Sequence, residues 1–107
     1  MQEINYVFFL SSEMKDRLRV LAQKQRGEIL EFIVQYEALI KGKWWPIVRY
    51  DTAHGFAHKD MLHPDGKVEK QPIYFDSYNL TFTYATLDLK RSWKEYREKY
   101  EEEFSND

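Results

Sequence analysis

The chain contains no cysteine, which excludes disulfide staples and thiolate metal sites. The same absence accords with a reducing, cytoplasmic location. No apolar run comes near the 18 residues that mark a membrane helix, so no membrane partner is expected. The N-terminal INYVFFL is too short for a secretory leader with a small-residue cleavage site. Neither sign of charge dominates. The formal net charge is −2, which gives no global attraction to nucleic acid. No glycine loop is placed to cradle phosphate, and no serine–histidine pair forms a nucleophile elbow. Internal repeats, linkers and low-complexity tracts are missing too.

What is present is aromatic and charged. Aromatic residues make up 17% of the 107, and each supplies a large area to bury. The length predicts a single domain, residues 1–107, with one modest core. Charge is unevenly spread. Residues 15–26 carry Lys15, Arg17, Arg19, Lys24 and Arg26 against Asp16 alone. Residues 95–107 carry six acids against Arg97 and Lys99. Two readings stand: solvated helix faces that partly neutralise one another, or a basic helix that touches phosphates or an acidic partner.

Periodicity sets out the elements. Residues 4–10 read as a short strand or a buried extended arm. Ser11 or Ser12 offers an N-cap, Met14, Leu18, Leu21 and Ala22 recur at helical spacing, and Gly27 supplies a stop. This predicts an N-terminal helix. In EILEFIVQYEALI, residues 28–40, Leu30, Phe32, Val34, Tyr36, Ala38 and Ile40 alternate with polar residues, which predicts a strand. Lys41-Gly42-Lys43 reads as a three-residue connection to a return strand over 44–52. Pro46 cannot donate to a ladder, so it marks an edge or a bulge. Pairing Ile40 with Trp44 puts Tyr36 opposite Val48 and Val34 opposite Tyr50. Ile47, Arg49 and Asp51 then share the other face with Glu31, Gln35 and Glu37.

Further strands are expected over 56–62 and 67–73, joined by the turn His63-Pro64-Asp65-Gly66. Tyr78, Phe82, Ala85, Leu89, Trp93, Tyr96, Tyr100 and Phe104 form one continuous helical stripe, capped by Asp76 or Ser77. Residues 80–84, LTFTY, would alternate equally well as a strand, and the unbroken stripe favours the helix. The expected fold is α+β: an antiparallel four-stranded meander flanked by an N-terminal helix and a long C-terminal helix.

One stretch concentrates chemistry. RYDTAHGFAHKD, residues 49–60, holds Arg49, Asp51, His54, His58 and Asp60. His54 and His58 are four apart, but Gly55 and the flanking strands oppose a helix. On a strand four residues span about 13 Å, too far to share an ion. His58 and Asp60 lie about 6.6 Å apart on one side of a strand and can share a ligand or water. No cofactor or tight metal site is expected, since three or four ligands must converge. Histidine exchanges protons near neutral pH, arginine offers a planar fork to phosphate, and a carboxylate orients an imidazole. Together these are the minimum kit for metal-independent RNA cleavage, with Arg49, Asp51, His54, His58 and Asp60 as the catalytic set. Against this, Arg49 and Asp51 can simply pair across a solvated sheet face.

IVRYDTAHGFAHKDMLHPDGK resembles a family of small prokaryotic proteins with an R-Y-D-x-A-H-G-x-x-H-x-D pattern. More distantly, Arg49–Asp60 resembles the TumE-like toxins of toxin–antitoxin pairs, which carry Asn where this chain has Thr52. The resemblance implies Arg49, Tyr50, Asp51, His54 and His58 as shared positions, RNA as substrate and an antitoxin as partner. The alternative is a non-catalytic binding or structural protein, a homodimer through Trp44, Trp45 and an edge strand.

Overall fold

Alternation, not helical spacing, governs the start of the chain. In DRLRVLAQKQ, Leu18, Val20 and Ala22 are buried, while Arg19 and Leu21 between them are exposed. That period of two makes a strand where an N-terminal helix was expected. The helical reading needed Leu21 to point inward with Leu18 and Ala22, and it points out. Ser11 caps no helix. Its carbonyl and Oγ accept hydrogen bonds from the amides of Met14 and Lys15 in the turn between the first two strands.

The computed structural model describes residues 1–105; Asp107, the last acid of the C-terminal run, lies outside them. Six strands form one antiparallel sheet in chain order: β1 (Gln2–Phe9), β2 (Asp16–Gln25), β3 (Glu28–Ile40), β4 (Lys43–Asp51), β5 (His58–Leu62) and β6 (Val68–Pro72). The architecture is α+β, with six strands rather than four. One helix, α1 (Tyr78–Ser105), lies across the sheet rather than two. No helix among the described residues is long and apolar enough to cross a membrane.

Two hairpins have the same device. Arg26-Gly27 and Lys41-Gly42 all have positive φ, between 52° and 80°. A two-residue type I′ turn needs both central residues there. Gly27 therefore closes a hairpin, not a helix, and Lys43 belongs to β4, not to the connection.

The β3–β4 register shifts once. Tyr36 faces Val48 and Val34 faces Tyr50, as the hydrophobic pattern predicts. Between them and the turn the register slips by one, at Tyr36/Glu37, leaving Ile47 as the extra residue. Pro46 sits beside this bulge, in a part of β4 that β5 does not reach. The slip pairs Ile40 with Lys43 and Leu39 with Trp44. Trp45, not Trp44, then packs towards the helix, edge-on to Phe104. A second shift at Gln23/Lys24 places Ile29 against the core and leaves Leu30 exposed.

The aromatic stripe of α1 docks on one sheet face as its spacing demands. Leu89, Ala85 and Tyr100 are buried, Phe82 and Tyr78 meet Phe32 edge-on, and Trp93 meets Tyr36. LTFTY is therefore helix. Ser77 Oγ caps it by accepting from the amide of Leu80.

Among the described residues no helix covers the opposite sheet face, yet that face curls on itself. Phe9 on β1 and Trp44 on β4 have ring centroids 6.5 Å apart. In a flat sheet strands three apart lie about 14 Å from each other. The Arg17 guanidinium lies 3.7 Å above the Trp44 ring. This concave face carries the residues discussed next.

Candidate functional site

Strand pairing brings the chain's titratable stretch together. Arg49 and Asp51 alternate on β4 and point to the concave face. β5 returns antiparallel and sets His58 opposite Asp51 and Asp60 opposite Arg49. The link between them is a tight turn, Ala53–Gly55, in which His54 has φ 70° and Gly55 φ 83°. A left-handed histidine is uncommon, and it shortens the turn enough to lay β5 directly against β4.

His58, Asp51 and Asp60 are 1%, 7% and 5% exposed. His58 Nε2 lies 2.8 Å from Asp51 Oδ1 and 3.7 Å from Asp60 Oδ2. Its Nδ1 is 3.4 Å from the Phe56 carbonyl oxygen. Asp51 Oδ1 also accepts the amide hydrogen of Ala53, at 3.0 Å. Asp60 Oδ1 is buried and receives no hydrogen bond, although Lys70 Nζ lies 3.3 Å away. The rings of Phe56 and His54 lie over His58, with centroids 5.5 and 6.4 Å away. His54 itself is exposed.

Arg49 does not join this cluster by an ion pair. Its Nε donates to Gln35 Oε1 at 2.6 Å, and Gln35 Nε2 donates to Glu37 Oε2 at 2.6 Å. Glu37 in turn pairs with Arg17 at 2.7 Å and with Arg19 at 3.8 Å. The simple Arg49–Asp51 pairing across the sheet face is therefore replaced by a relay running along it. A groove of about 440 Å³ opens on this face, and Arg19, Gln35, Arg49 and Asp51 form its polar wall. Asp51 belongs to both groove and cluster, so its carboxylate links the solvent to the buried histidine.

Of the five predicted site residues, three meet in one cluster: Asp51, His58 and Asp60. Arg49 lies beside them in the groove, and His54 lies above. The spacing of His58 and Asp60 on one strand face was readable. Asp51 as their third partner depends on the β4–β5 register, which the bend at residues 52–57 sets. Arg19 and Arg17 were visible as a basic run but assigned to a helix. As strand residues they share the concave face with Arg49. Their carboxylate partner is Glu37 of β3, not the acidic helix. The third histidine, His63, lies in the β5–β6 turn away from the cluster, with Glu69 and Glu103 at 3.0 and 2.8 Å.

On the helix side, Tyr50 and Tyr96 both donate to Asp88 Oδ2 at 2.6 Å, and Lys59 Nζ donates to the Tyr96 hydroxyl at 2.7 Å. Burial first, and then the Asp88 carboxylate, push the Tyr50 and Tyr96 phenols well above their ordinary range, so both stay protonated donors. Tyr50 is thus a core residue, and its place in the motif is structural.

A family model described as a domain of unknown function, DUF7718, matches residues 1–106. No curated protein and no solved structure matches the chain.

Proposed function

Because the chain belongs to the DUF7718 family, whose description assigns no activity, we propose its function from the site itself: cleavage of RNA, in the manner of a toxin held in check by an antitoxin. The observation that carries this reading is the groove whose wall holds Arg49 and Arg19 together with Asp51. Arginine forks bind phosphate oxygens in two-point contacts. With a net charge of −2, such a local pair must supply the attraction that the molecule as a whole does not.

The chemistry follows from accessibility. His58, at 1% exposure, touches no substrate and acts as a positioning residue for Asp51. Asp51 Oδ1 is held by His58 and the Ala53 amide. Its other oxygen is the one left to take the 2′-hydroxyl proton. The 2′-oxygen then attacks phosphorus, the bond to the 5′-oxygen breaks, and protonated His54 delivers a proton to that leaving oxygen. Arg49 and Arg19 stabilise the charge on the non-bridging oxygens. Asp60 lies against the same Nε2 edge of His58, 3.7 Å away, and the Phe56 carbonyl faces Nδ1.

The test is cleavage of an end-labelled single-stranded RNA by purified protein. Cleavage should leave a 2′,3′-cyclic phosphate and should fall by at least about a hundredfold in His54→Ala and in Arg49→Lys. Wild-type protein that leaves the RNA intact, or variants as active as wild type, would end this reading.

A second reading rests on β1. It is an edge strand whose Tyr6, Val7, Phe8 and Phe9 are all exposed, and we infer that it pairs with a second copy of the chain. Trp44 and Trp45, the aromatics first assigned to such a contact, are instead engaged by Phe9, Arg17 and Phe104 within one chain.

A further inference from the structure

We propose that Asp51, His58 and Asp60 form a closed site for one first-row divalent cation, of which Zn²⁺ is the probe of choice, and that the ion is structural. One ligating atom from each residue lies within 4.8 Å of the others. All three residues are more than nine-tenths buried.

Charge makes the first argument. Two carboxylates face one imidazole edge where little water reaches, and like charges so placed need a compensating cation. Lys70 compensates only in part: it approaches Asp60 Oδ1, but its side chain is 44% exposed and free to swing outward. The orphaned oxygen makes the second argument. A buried carboxylate oxygen without a hydrogen bond keeps its full desolvation penalty, and natural structures hold few of them. Bound to a cation through both oxygens, Asp60 would leave none unmet. His58 Nε2, Asp51 Oδ1 and the Asp60 carboxylate then supply three protein ligands, with the second Asp60 oxygen closing the site as a chelating donor.

The ring orientation makes the third. The His58 ring aims Nε2 at both carboxylates and Nδ1 at the Phe56 carbonyl. A cation at that point displaces the Nε2 hydrogen that otherwise bridges to Asp51 and takes Nε2 and the carboxylate oxygens as its ligands. Metal-bound histidines commonly give their second N–H to such a carbonyl. Donors about 2.0–2.2 Å from an ion lie roughly 3–4 Å from each other, so Asp60 has only to draw in slightly. A nitrogen donor with carboxylates suits zinc better than magnesium or calcium. His63 offers no equal site: Glu103 and Glu69 meet different ring nitrogens, on opposite edges of the ring, and converge on no common point.

The proposal does not depend on RNA cleavage, and its test does not read it. Chelator-treated wild-type protein is titrated with Zn²⁺ by calorimetry and by long-range ¹⁵N–¹H NMR of the histidine rings. One ion per chain is expected, with the His58 Nε2 resonance moving to a metal-bound position while both His63 nitrogens stay in place. Asp60→Asn, which keeps shape and packing, should weaken binding more than about tenfold, and His63→Ala should leave it unchanged. Zn²⁺ should also raise the melting temperature of wild type, reversibly with chelator. No binding, a shift at His63 instead of His58, or equal affinity in Asp60→Asn would overturn the proposal. The NMR readout needs no variant, so a substitution that fails to fold leaves the question decidable.

Discussion

Both ring nitrogens of His63 are met by carboxylates: Glu103 at the end of α1 and Glu69 on β6. Hydrogen bonding to Glu103, then to Glu69, raises its pKa above the ordinary 6.5. A basic group with a raised folded value adds stability that is fully present below its unfolded pKa of about 6.5. That stability is lost as pH climbs through the raised folded value. His63→Ala should therefore lower the urea midpoint near pH 6 and change it little near pH 9. Both glutamates are well exposed, so the difference is held to about 1 kcal/mol or less. An equal loss at both pH values would show that His63 contributes by packing alone. Sequence made His63 a turn residue, and it is one: its carbonyl accepts the Gly66 amide. Its second role was not legible, because Glu103 lies 40 residues away and only the helix docking brings it near.

At the scale of elements, one side chain locks α1 to the sheet. Arg97 Nη1 donates to Asp16 Oδ1 at 2.8 Å and to the Lys15 carbonyl at 3.2 Å, and Nη2 donates to the Leu39 carbonyl at 2.9 Å. Asp16 is buried and also accepts the Tyr36 hydroxyl at 2.6 Å. Arg97→Ala should cost about 2–4 kcal/mol in chemical denaturation, since it strands a buried carboxylate. A loss under 1 kcal/mol would mean that the apolar stripe alone fixes the helix. That stripe was legible because 28 residues repeat one spacing and tertiary context has no competing pattern to offer. β3 was legible for the same reason. β2 was not, because Leu18, Leu21 and Ala22 satisfy a helix while Leu18, Val20 and Ala22 satisfy a strand. Pairing with both β1 and β3 decided between them. Pro46 signalled an edge or a bulge in β4, whereas the β2–β3 bulge was hidden, as it depends on the competition between a turn and the core for the same strand.

At the scale of the whole molecule, the two sheet edges differ in kind. β6 reads VEKQP; it carries Glu69 and Lys70 and ends at Pro72, which discourages further pairing. β1 reads QEINYVFF; beyond Glu3 it has no charge, and it has no proline. Its residues from Tyr6 to Phe9 expose between 38% and 45% of their surface. An unguarded edge whose last four residues are apolar on both faces is a template for another strand. Pairing of two β1 strands about a twofold axis is self-complementary and closes after two copies, so it yields a dimer and no fibre. It would also extend the concave face, since Val7 sits beside Arg19 in the wall of the groove. Light scattering coupled to sizing should then report a dimer that dissociates on dilution. Phe8→Lys charges the edge on the helix side and spares the residues that line the groove. That variant should run as a monomer with an unchanged circular dichroism spectrum. A wild-type monomer at high concentration would refute self-pairing. A dimer that persists in the charged variant would place the contact elsewhere. Dimerisation and RNA cleavage separate cleanly here: a monomeric variant that still cleaves RNA makes the edge an assembly device, whereas one that loses cleavage makes the groove a feature of two chains.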